Sequence, residues 1–82
     1  MITLLLVDDH ELVRKGILRI LQDVPDFKVV GEVNNGEEAV KFCREMNPDL
    51  VMMDVNMPGI GGLEATKQIL HYTPNTLSLI HI

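Results

Sequence analysis

Leu50-Val51-Met52-Met53 runs straight into a carboxylate at Asp54, and Asn56-Met57-Pro58-Gly59 turns the chain at once. An apolar run this short, bounded by turn residues on both sides, predicts a strand buried on both faces rather than a helix or a half-solvated strand. Such strands belong to parallel sheets with helices on either side. Open sheets of that kind place their ligand crevice outside the carboxyl ends of the strands. Asp54 therefore stands where this architecture would put a reactive group.

The rest of the chain repeats the plan. Ile2 to Val7 is a second apolar run that ends in carboxylates, Asp8 and Asp9, and it predicts a central first strand. Beyond His10 the period becomes helical. Leu12, Val13, Gly16, Ile17, Ile20, Leu21 and Val24 are expected to form one core-facing stripe, with Arg14, Lys15, Arg19, Gln22 and Asp23 opposite and Pro25-Asp26 as the stop. Phe27 to Val33 predicts a less buried strand nearer an edge. Asn35, three residues before Glu38, is placed to cap a second helix over about Gly36 to Met46, with Ala39, Val40, Cys43 and Met46 inward. Leu63 to Tyr72 predicts a third helix with Leu63, Thr66, Ile69 and Leu70 at apolar spacing, and Thr76 to Ile82 is a last apolar run. Strands alternating with helices, joined by right-handed crossovers, predict an α/β fold with a doubly wound parallel sheet.

Charge and cysteine usage narrow the function. A net charge of −5 over 82 residues disfavours a domain that binds nucleic-acid phosphates, which needs clustered Lys and Arg. The single cysteine, Cys43, excludes an intrachain disulfide and fits a reducing compartment. No apolar stretch reaches the length of a signal peptide or membrane span, so a soluble cytoplasmic protein with no membrane partner is expected.

The chemistry lies at the strand ends. If the first and third strands are neighbours, their ends are about 5 Å apart, and Asp8, Asp9 and Asp54 meet at the crevice mouth. Like charges so close oppose one another's ionisation unless a cation joins them. Oxygen-only donors suit a hard divalent ion, with Mg²⁺ the usual choice where phosphate is handled. Each acid alone reads more readily as a turn residue or helix cap; together they describe a Mg²⁺-dependent phosphoryl acceptor in which a carboxylate attacks phosphorus. His10 is expected at a helix start or on the surface, and Cys43 as a small core residue.

Val7-Asp8-Asp9-His10, Asp54-Val55-Asn56-Met57-Pro58-Gly59 and the spacing between them resemble the receiver domain of bacterial two-component response regulators. Leu6 to Arg14 resembles the LuxR/NarL-type branch, whose output is a helix-turn-helix domain. The resemblance covers residues 1 to about 76. It implies a flavodoxin-like (CheY-like) fold and a signalling acceptor rather than an enzyme. Asp54 would take a phosphoryl group from a sensor histidine kinase or phosphotransfer domain. Asp9 would ligate Mg²⁺ directly, Asp8 mainly through water, and Asn56 through its backbone carbonyl. Gly61 or Gly62 would supply a backbone conformation that a β-carbon opposes. The resemblance also implies an activation-linked homodimer of the full-length protein, and DNA binding only through a C-terminal helix-turn-helix domain.

A receiver domain has five strands in about 120 residues, whereas this sequence reaches about the fourth, so residues 1–76 are expected to be the N-terminal part of one. The family's Ser or Thr after strand four and Lys after strand five have no counterpart. Leu77-Ser78-Leu79-Ile80-His81-Ile82 can be encoded by CTG TCT CTT ATA CAC ATC, a transposon end used in sequencing libraries. Residues 77–82 are therefore expected to be a non-native translated adapter, or alternatively a fourth strand. Two other classes remain as alternatives. One is a haloacid-dehalogenase-like phosphohydrolase, which wants an acid where Asn56 stands; the other is a non-catalytic receiver-like interaction module.

Overall fold

A computed structural model of the chain describes residues 1–53, 61–72 and 78–81. In chain order it contains β1 (Ile2–Val7), α1 (Glu11–Gln22), β2 (Phe27–Val33), α2 (Gly36–Met46), β3 (Leu50–Met53), α3 (Gly61–Tyr72) and β4 (Ser78–His81). The strands form one parallel sheet in the order β2-β1-β3-β4. The chain steps outward from β1 to β2, then crosses back over β1 to β3. The strand order thus reverses between β1 and β3, the place where doubly wound sheets open a crevice. The α/β class, the central β1 and the edge position of β2 agree with the sequence.

Alternation along the strands decides which residues share a face. Leu5, Val7, Val51 and Met53 join Ala39, Val40 and Cys43 of α2 and Ala65 and Ile69 of α3 in one buried cluster, with Val33 and Phe42 packed against it. Leu4 and Leu6, on the opposite face of β1, are buried as well. In β3, Val51 and Met53 are buried but Leu50 and Met52 only half so. This strand is therefore not covered equally on both faces as expected. α1 packs over β2 and β1, which leaves its face of β3 partly open.

The orientation of α1 corrects the expected stripe. Leu12 is 86% and Ile20 68% exposed, and Val13 is exposed too. The half-buried positions are Arg14, Ile17, Leu18 and Leu21. Arg14 is the reason. Its Nη1 donates to the Asp8 carbonyl at 2.6 Å and its Nε lies 3.3 Å from Glu32 Oε1, and both partners sit on the sheet side. Holding that guanidinium beneath the helix turns Leu12, Val13 and Ile20 of the expected stripe outward, while Ile17, Leu21 and Val24 stay half-buried.

The second helix follows its sequence closely. Asn35 caps α2 by accepting from the Glu38 N–H at 2.8 Å. Asn47, in the left-handed region at φ 47°, closes the other end by donating to the Cys43 carbonyl at 3.0 Å. Met46 is exposed rather than inward, because it lies in the last turn beyond the cluster. Among the described side chains of α3, Ala65 and Ile69 are buried and Leu70 is exposed; that of Leu63 lies outside them. Gly61 and Gly62 open α3.

Two contacts fix the strands along their length. At the start of β3, Asp49 Oδ2 accepts from the Thr3 N–H at 2.9 Å and the Thr3 hydroxyl at 3.0 Å. The Asp49 N–H lies 3.0 Å from both Thr3 Oγ1 and the Thr3 carbonyl, so the clamp is reciprocal. Between β1 and β2 the register shifts, with Leu4 opposite Val29 and Leu5 opposite Gly31, so Val30 is the extra residue of a bulge.

Candidate functional site

The site is assembled at the carboxyl end of β1. Strands β1 and β3 pair in parallel with Leu4 opposite Leu50 and Val7 opposite Met53. The residue after Val7 is Asp8, and the residue after Met53 is Asp54. Asp54 and Asn56 lie outside the described residues, so the structure reports on the other half of the predicted acidic cluster.

Asp8 is the one buried polar residue of the described core, with 2% of its surface exposed. Burying a carboxylate is costly unless it is hydrogen-bonded. Here its Oδ1 accepts from the His10 N–H at 2.8 Å and lies 3.3 Å from His10 Nδ1. Its backbone is held from two sides. The Asp8 N–H donates to the Val33 carbonyl of β2 at 3.2 Å, and Arg14 Nη1 donates to the Asp8 carbonyl. The Arg14 side chain thus spans the site, the helix and Glu32 of β2.

Asp9 is more open. Its Oδ1 lies 3.0 Å from His10 Nδ1. His10 is the residue before α1, in extended backbone, and its side chain makes no cap hydrogen bond. The expected place at a helix start is correct, and the ring is 67% exposed, but it is turned back over the two carboxylates. One donor atom from each of Asp8, Asp9 and His10 falls within 4.8 Å of the others, close enough to surround a single cation. Two carboxylates and an imidazole form a donor set that fits a divalent ion.

Cys43 takes no part. It is buried within the α2 cluster, and burial pushes its thiol up from 9.0 to about 11, so it stays protonated at neutral pH. The Asp49 carboxyl is held below its ordinary value by its hydrogen bonds from Thr3, at the opposite end of β1 from Asp8. That carboxylate is a strand clamp rather than a member of the site.

Sequence reasoning missed the inward role of Arg14 and the Thr3–Asp49 clamp. The first was visible as a second helical register, since Arg14, Ile17, Leu18 and Leu21 also lie at i, i+3, i+4 and i+7. The clamp joins residues 46 apart in sequence and leaves no local signal.

The profile of the response regulator receiver domain family matches residues 4–82. The chain belongs to this family. The response regulator UvrY of Escherichia coli K12 is 63% identical over 73 residues, which are 89% of this chain and 34% of that protein. The chain thus spans about a third of the length of that relative. Among solved structures, a LuxR-family two-component response regulator from Aurantimonas superposes with a TM-score of 0.90 at 37% identity, over 99% of this chain and 57% of the other. RcsB of Salmonella enterica serovar Typhimurium, bound to the promoter rprA in the presence of a phosphomimetic, gives 0.87 at 26% identity, over 99% of this chain and 68% of the other. The expected family and the LuxR-type branch are both found again in these comparisons, and the haloacid-dehalogenase alternative falls with them. Among the described residues, no helix of this receiver domain is long and apolar enough to cross a membrane.

Proposed function

We propose that Asp54 is the phosphoacceptor of this receiver domain, with Mg²⁺ held by Asp8, Asp9, Asp54 and the backbone carbonyl of Asn56. The observation that carries this reading is the register of Val7 beside Met53, which joins the strand leading to Asp54 to the strand leading to the acids. The donor is a phosphohistidine on a sensor histidine kinase or phosphotransfer domain. A carboxylate oxygen of Asp54 attacks phosphorus, the phosphorus–nitrogen bond breaks, and an acyl phosphate forms while the imidazole leaves. Bound Mg²⁺ would neutralise the charge on the transferring phosphoryl oxygens. Asp8 and Asp9 hold negative oxygens beside the acceptor strand. The Val33 carbonyl and Arg14 keep the Asp8 backbone from shifting as charge changes nearby.

The wider reading is that the parent protein acts in the cytoplasm, dimerises on activation and controls transcription through a DNA-binding output domain outside these 82 residues. Its support is the likeness to a LuxR-family regulator and to RcsB bound to a promoter. Residues 1–76 are proposed as the N-terminal part of the receiver domain, and residues 77–82 as adapter-encoded. An open strand edge accepts any extended apolar segment, so the pairing of Ser78–His81 with β3 agrees with either origin. Genomic DNA that continues through other codons at these positions would overturn the adapter origin.

Incubation with acetyl phosphate and Mg²⁺, followed by intact mass measurement, tests the acceptor. The chain, which has no counterpart of the family's Ser or Thr after strand four and Lys after strand five, should label weakly, and Asp54→Ala should not label at all. Equal labelling of both would remove Asp54 from its role.

A further inference from the structure

We infer that His10 is a third side-chain donor of the cation site, and that it gives the site an affinity for nitrogen-preferring divalent ions such as Zn²⁺. The inference deepens the proposed phosphoacceptor site, since it uses the same two carboxylates, but it concerns metal choice rather than phosphoryl transfer. Three features of His10 support it. First, Nδ1 stands 3.0 Å from Asp9 Oδ1 and 3.3 Å from Asp8 Oδ1. Second, the His10 N–H is fixed to Asp8 Oδ1 at 2.8 Å, which anchors the residue beside the carboxylates. Third, the imidazole has no capping duty on α1, and most of its surface is open to solvent.

The distances match those between neighbouring donors on one ion. Two donors each about 2.1 Å from an ion and at right angles are about 3.0 Å apart. In a tetrahedral zinc site the same bonds put neighbouring donors about 3.4 Å apart. Both separations at His10 Nδ1 fall at these values, so the ring needs little movement to share a cation with the carboxylates. Carboxylate and water suit Mg²⁺, whereas imidazole suits Zn²⁺, so the third donor changes selectivity more than Mg²⁺ affinity.

Calorimetric titrations of the whole chain and of His10→Ala with Mg²⁺ and, separately, Zn²⁺ test this directly. The substitution should weaken Zn²⁺ binding by about tenfold or more, the scale of losses when metal-site residues are removed. Mg²⁺ binding should change by less than about twofold. Nitrogen-15 spectra of the unsubstituted chain supply a second readout that needs no variant. Zn²⁺ should shift the Nδ1 resonance of His10 and leave those of His71 and His81 in place. Zn²⁺ binding unchanged or tightened by His10→Ala, an equal loss for both ions, or an unmoved Nδ1 resonance would each overturn the inference. None of these would touch the acetyl phosphate result, so the two readings fail separately.

Discussion

Gly31→Ala tests the packing of the edge strand that supports the site. A β-carbon built at Gly31 would lie 2.5 Å from Phe42 Cε2, 2.6 Å from Phe42 Cζ and 3.3 Å from Leu5 Cδ1. Ordinary carbon contacts begin near 3.5 Å, so the ring must retreat by about 1 Å or β2 must move away from β1. Overfilling a packed site costs about 1–3 kcal/mol. Against this, replacing glycine by alanine at a compatible site stabilises by about 0.4–1 kcal/mol through the unfolded chain. The ring is half-buried and its far edge gives way at some cost, so the net expectation is a loss of about 1–2 kcal/mol. For a chain of this size that lowers the melting temperature by roughly 4–16 °C. Urea unfolding followed by circular dichroism measures it, with the slope unchanged and the midpoint reduced. Phe42→Leu in the Gly31→Ala background should then cost less than Phe42→Leu alone, because the smaller side chain frees the space the new methyl needs. A Gly31→Ala chain as stable as the parent, with no coupling to Phe42, would show that the ring does not stand over this glycine.

Two further predictions concern titratable groups. With the Cys43 thiol pushed up to about 11 from 9.0, the unfolded chain releases the thiol proton first as pH rises, so this contribution to stability is intact below pH 9 and is lost from there towards about 11. Cys43→Ala should flatten that alkaline fall in a melting series, and an unchanged slope would deny the thiol its part in it. At the acid end the sign is opposite. The Asp49 carboxyl is held low by Thr3, so the stability it brings is present above the ordinary carboxylate range and is lost as pH falls through the depressed value. Thr3→Val keeps the backbone N–H donor and removes the hydroxyl, and should move the Asp49 carbon resonances part of the way to higher pH; an unmoved titration would show that the hydroxyl has no part in holding it low.

Elements with short-range causes were legible. The strands announce themselves as apolar runs, and the α2 bounds follow from a cap at Asn35 and a left-handed closure at Asn47. The gathering of acids after β1 was legible because the carboxyl end of a central strand is where a doubly wound sheet opens its crevice. The face of α1 was not, because its sequence holds two overlapping helical registers. The choice between them is made by an arginine whose partners, the Asp8 carbonyl and Glu32, belong to other elements. The uneven cover of β3 was missed for a similar reason: how far a helix reaches over a neighbouring strand is a property of the packed sheet. His10 was placed at the helix start by its position, but its turn towards Asp8 and Asp9 depends on a backbone hydrogen bond within the loop.

The central claim is that the acid following β3 is phosphorylated with help from the acids following β1. Borohydride reduction of the phosphorylated chain converts an aspartyl phosphate to homoserine, which peptide mass spectrometry places by residue. After reaction with acetyl phosphate, homoserine should appear at position 54, in amounts that require Mg²⁺ and fall sharply in Asp9→Ala. Homoserine at another residue, or labelling at 54 indifferent to both Mg²⁺ and Asp9, would contradict the account.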